Sequence, residues 1–127
     1  PHTLSLCEGG RAEETFRVAL GTGGVGKRRQ GDAKVPLGAY PLGTPRGSAL
    51  FGTFILVGYP TPAQRREGFT GGDVGVHGPP RASRTGPSEV NTSTDWTLGC
   101  IAVGSDAEIE RIARWVREKR IGRIVLR

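Results

Sequence analysis

There is no methionine among the 127 residues, so Pro1 does not read as a translation start. The expectation is a processed or trimmed piece, with any signal peptide or anchor upstream. No run approaches about 18 consecutive apolar residues, so no segment reads as membrane-spanning. There are only two cysteines, Cys7 and Cys100. With His2 and His77 they make a two-and-two set, but no pair has the close spacing of a zinc motif, and neither metal nor cofactor is expected. A disulfide is the alternative to two independent thiols. Cys7 closes an apolar strand between Leu6 and Glu8 and reads as a small buried hydrophobe. Aromatics are scarce at 6% and do not cluster among basic residues. Nucleic acid is therefore not an expected partner, despite a net charge of +6.

What is present favours short strands and many turns. The apolar fraction is low at 35%, and 21 glycines and 9 prolines punctuate the chain. The length suits one domain, residues 1–127. Thr3–Cys7 and Phe16–Leu20 read as a hairpin around Gly9-Gly10. Residues 21–31 hold five glycines and three basic residues, the composition of a mobile surface loop. Residues 32–40 lead through a turn into a strand, and Pro36 argues against pairing before Leu37. Residues 50–57 are the most strand-like run, and 61–72 read as a polar loop or short helical turn. Val74–His77 is another strand. Residues 79–96 form a long Pro, Ser, Thr and Arg loop, read as a lid or substrate wall. Ser105 and Glu108 have the spacing of a capping box, and Ile109, Ile112, Ala113 and Val116 follow at helical spacing. The helix is placed at 106–119, with Trp115 as core packing and Ile124–Leu126 as a last strand.

Two strand ends deliver chemistry. His77 follows Val74 and Val76 on a period-2 pattern, and Cys100 follows Gly99 and runs into Ile101, Ala102 and Val103. A thiol beside an imidazole is the minimal nucleophile and base, the ring taking the thiol proton and holding the thiolate as an ion pair.

Val76-His77-Gly78, a long loop and Thr97-Leu98-Gly99-Cys100-Ile101 together resemble the L,D-transpeptidase catalytic domain, or YkuD, family. Residues 31–40, Val57-Gly58-Tyr59-Pro60 and 105–116 are similar to further stretches of it, in the same order. The resemblance implies a mostly β, sandwich-like fold of mixed sheets with one main helix after the cysteine. It implies a bacterial cell-wall enzyme, periplasmic or secreted. Its thiol would attack the carbonyl of the third residue of a peptidoglycan stem peptide, release the terminal D-alanine and pass the acyl group to an amine or to water. Carbapenem-type inhibitors are expected to acylate it. By position, Cys100 is the nucleophile, His77 the base, and the Gly78 carbonyl the group orienting the imidazole. The amides of Gly99 and Cys100 make the oxyanion hole. Trp96, Thr97 and Tyr59 are candidates for substrate contact, whereas Asp32 reads as a turn cap. The basic residues from Arg111 onward form a solvated helix face, or attract an anionic wall polymer.

Two departures bear on the acceptor. Leu98 stands where the family commonly has histidine, and Ala102 where it commonly has arginine. Both are more like a branch in which some members cut wall attachments. The alternatives to transpeptidation are accordingly a carboxypeptidase or endopeptidase, and a catalytically silent wall-binding module.

Overall fold

The computed structural model describes residues 2–80 and 92–127. In chain order its strands are β1 (His2–Glu8), β2 (Arg11–Ala19), β3 (Gly24–Val25), β4 (Lys34–Val35), β5 (Gly38–Pro41), β6 (Arg46–Ser48) and β7 (Gly52–Leu56). Helix α1 (Pro62–Arg66) and β8 (Gly75–His77) come next, then β9 (Ile101–Val103), α2 (Asp106–Lys119) and β10 (Arg123–Leu126). The main sheet has the order β1-β2-β9-β8-β7-β6, and β10-β5 and β3-β4 form two small sheets. The class is the expected one: mostly β, mixed sheets in a sandwich, with one main helix after Cys100.

The β1–β2 hairpin slips register between Leu6 and Cys7. Leu6 is turned into the core at 4% exposure, and the alternation of a strand then turns Cys7 outward. Cys7 is exposed and unbridged, which corrects its reading as a buried hydrophobe. In α2 the Ser105 hydroxyl accepts from the Glu108 amide at 3.2 Å, the serine half of the expected box. Ile109, Ile112, Ala113, Trp115 and Val116 are buried against Val18, Ile55, Val76, Ile101 and Val103 of the sheet. Burying each large aliphatic side chain is worth about 1.5–3 kcal/mol, so this apolar face holds the helix in place. Helix α1 is the short helical turn given as one reading of 61–72, and Thr61 and Gln64 build a full capping box at its start.

The glycine-rich stretch 21–31 is tied down and is not a free loop. β3 pairs in parallel with β4, and the amides of Gly26 and Lys27 donate to the Val35 carbonyl at 2.8 and 3.2 Å. Pairing therefore occurs before Pro36, contrary to expectation. The proline lacks an N–H and ends β4 after Val35.

Candidate active site

Cys100 and His77 come from neighbouring parallel strands. Val76 pairs with Ile101 and His77 with Ala102. Carried back one residue, this register sets Cys100 opposite Gly75, two residues from His77 and on the same face of the sheet. Ala19, Ala102, His77 and Phe54 form a row across four strands. Val18, Val103, Val76 and Ile55, one residue along, point the other way into the α2 core. The strand period thus separates a packing face from a reactive face.

Gly75 is small because the Phe54 ring covers it: a Cβ there would lie within 2.7 Å of three ring carbons. Gly75→Ala is expected to cost about 1–3 kcal/mol by overpacking. A thermal melt checks this, and an unchanged Tm would show that the ring moves aside freely.

His77 is 1% exposed. Phe51 stacks on its ring with centroids 3.6 Å apart, and Trp96 meets it edge-on at 5.9 Å. Nδ1 lies 2.7 Å from the Gly78 carbonyl oxygen. A carbonyl only accepts, so Nδ1 carries the proton and Nε2 is the basic nitrogen. Burial pushes the imidazole below its ordinary value, opposed by the Gly78 carbonyl. The ring is therefore neutral at pH 7.

The Cys100 thiol donates to the Asp73 carbonyl at 3.5 Å, and Asp73 itself sits at a left-handed φ of 53°. Burial pushes the thiol up, and the Asp73 carboxylate adds to this. The Gly75 amide and the Lys27 ammonium act in the opposite direction. Burial thus disfavours both charges of the ion pair expected from sequence and favours the thiol with a neutral imidazole.

The turn before Cys100 is braced by Thr97. Its buried hydroxyl donates to the Cys100 carbonyl at 2.7 Å and accepts from the Gly99 amide at 3.1 Å. Its backbone is held by Leu20 and Thr22 at 3.0 and 2.9 Å. The Thr97 hydroxyl proton and the Gly99 amide are thus both engaged within the turn. Of the two amides expected in an oxyanion hole, that leaves the one at Cys100. Gly99 has a φ of +133°, and a Cβ there would come within 2.9 Å of the Lys34 carbonyl oxygen.

Trp96 reaches the site, and its buried indole N–H has no hydrogen-bond partner among the described residues. Asp95 anchors the approach to it by accepting from the Leu20 amide at 2.9 Å. Tyr59 is 4% exposed, packs against Tyr40, and donates to the Thr70 carbonyl at 2.9 Å. Most of the expected lid, residues 81–91, lies outside the described residues. A cavity of about 280 Å³ beside Tyr40 and Arg123 includes neither Cys100 nor His77. Sequence reasoning passed over Phe51, Phe54, Asp73 and Lys27. An isolated aromatic or charged residue carries no local sign of what it will face.

A family model for the L,D-transpeptidase catalytic domain, YkuD, matches residues 1–125. The chain belongs to this family. Among solved structures, the L,D-transpeptidase-like chain is similar to the helical cell shape determining protein Pgp2 from Campylobacter jejuni. The TM-score is 0.68 at 26% identity, over 85% of this chain and 36% of that one. A lysine-to-alanine mutant of Pgp2 matches with a TM-score of 0.67 at 25% identity, over the same shares. The chain therefore spans about a third of the length of these structures, 36%. No curated protein matches it.

Proposed function

We propose that residues 1–127 form one catalytic unit, a cysteine acyl-transfer enzyme acting on peptidoglycan stem peptides outside the cytoplasmic membrane. The observation that carries this reading is the pairing of β8 with β9. It sets the Cys100 thiol and a His77 whose basic nitrogen is Nε2 on one face of the sheet, in a chain of the L,D-transpeptidase family. In the first step Nε2 takes the thiol proton as Sγ attacks the carbonyl of the third stem residue. The Gly78 carbonyl keeps Nδ1 protonated and steadies the imidazolium that forms. The developing oxyanion takes the Cys100 amide. Collapse passes the His77 proton to the departing D-alanine amine and leaves a thioester. An amine or water, deprotonated by the same Nε2, then releases the acyl group. Trp96 is the substrate contact this reading favours, through an N–H that has no partner among the described residues.

Water as acceptor is the second reading, and it rests on the two departures. Leu98 is 84% exposed and Ala102 fully buried, so neither offers the polar group that histidine or arginine would give an incoming amine. Mass spectrometry of a purified disaccharide tetrapeptide after incubation tests both. Loss of one alanine per stem indicates hydrolysis, and a 3→3 dimer indicates transfer. A carbapenem is expected to add its mass to Cys100. Neither product nor adduct would leave the silent wall-binding module.

A further inference from the structure

Lys27 is a buried charge that the proposed reaction does not use. It is 5% exposed, an unusual state for a lysine without a partner. Its ammonium donates to Asp32 Oδ1 at 2.8 Å and to the Arg29 carbonyl at 3.0 Å. Asp32 also accepts from the amides of Arg28, Arg29 and Lys34 at 3.0, 3.0 and 3.1 Å. Burial alone would raise its carboxyl, but the Lys27 ammonium and these three amides hold it well below the usual carboxylate range. The three amides are enough to shape a turn, so the tether does not by itself explain a buried ammonium. The location is the informative part. Lys27 Nζ lies 3.8 Å from where a Gly99 Cβ would stand, directly behind the residue that precedes the thiol. Lys34, whose carbonyl packs against Gly99, belongs to the same bonded loop.

We propose that Lys27 is a positioning residue for Cys100. Held by Asp32 behind Gly99, its ammonium supplies the fixed positive charge against which the thiolate forms. Among the described residues, the charged and titratable groups around the thiol are Asp73 and His77, from β8 and its approach, and Lys27 with Asp32, from the β3–β4 segment. The Asp73 carboxylate opposes thiolate formation and burial disfavours a charge on His77, so Lys27 is the standing cation among these described groups. Its effect on the thiol is in the favourable direction. The inference rests on the reading of Cys100 as the nucleophile.

The test needs no stem peptide, so its failure is distinguishable from failure of the peptidoglycan reading. Lys27→Met keeps the stem and removes the charge. Iodoacetamide alkylation of Cys100 at pH 7–8 is expected to slow about tenfold, equivalent to a rise of about one pH unit in the thiol midpoint. Lys27→Arg should recover most of the rate. An unchanged rate in a folded Lys27→Met, or equal slowing in both variants, overturns the proposal. If Lys27→Met does not fold, the intact protein decides. The chain has three lysines, so the Lys27 side-chain carbon resonance can be assigned by NMR. It should shift with pH at the Cys100 midpoint and lose that step in Cys100→Ser. A resonance indifferent to Cys100 refutes the idea.

Discussion

Cys100→Ala is expected to abolish turnover of stem peptides, with a loss on the order of 10⁴-fold or more, while the melting curve stays close to that of the parent. Cys100 immediately precedes β9 and is not part of the α2 core cluster, so its removal leaves the main packing intact. Cys7→Ser should leave activity within about twofold, because Cys7 is an exposed, unbridged thiol on the outer hairpin and surface changes of this kind are usually mild. Steady-state rates on a disaccharide tetrapeptide check both. A dead Cys7→Ser would mean that the hairpin thiol takes part in the chemistry, and the assignment of Cys100 would fall.

The pH behaviour separates a neutral pair from a preformed ion pair. With the imidazole pushed below its ordinary value by burial, the base form is present through neutral pH. Activity should fall only as acid protonates Nε2 below that value. With the thiol pushed above its ordinary value by burial, Cys100 should alkylate slowly at pH 7 and accelerate only in alkali. His77→Ala is then expected to cut turnover by about 10²–10⁴-fold, yet to leave alkylation at pH 7 nearly unchanged. An ion pair would show the reverse: fast alkylation from mildly acidic pH, lost in His77→Ala. Stability follows the same signs. A lowered His77 means the unfolded chain binds its proton first, so stability declines as pH falls through the ordinary imidazole value toward the lowered one. A raised Cys100 means the unfolded chain loses its proton first, so stability declines as pH climbs above the ordinary thiol value. The folded state is best served by the window between them.

The sequence by itself determined the elements whose signals are local. The Ser105 cap and the helical spacing of Ile109, Ile112 and Val116 place α2 at Asp106–Lys119, because capping and amphipathic burial act within a few turns. Period-2 alternation marked β8 as far as His77, and the order of motifs around His77 and Cys100 identified the family. What the tertiary structure alone decided involves residues far apart in the chain. Thr97 reads from sequence like a substrate contact, but its hydroxyl closes the turn onto Gly99 and Cys100. Residues 21–31 read as mobile until β4 pairs with β3 and Asp32 captures Lys27. The protonation of the reactive pair was least legible of all. Phe51 and Phe54 come to His77 across the β7–β8 pairing, with Phe54 opposite it in register. Desolvation is a sum over whatever packs around a group, and no spacing within one strand records that sum.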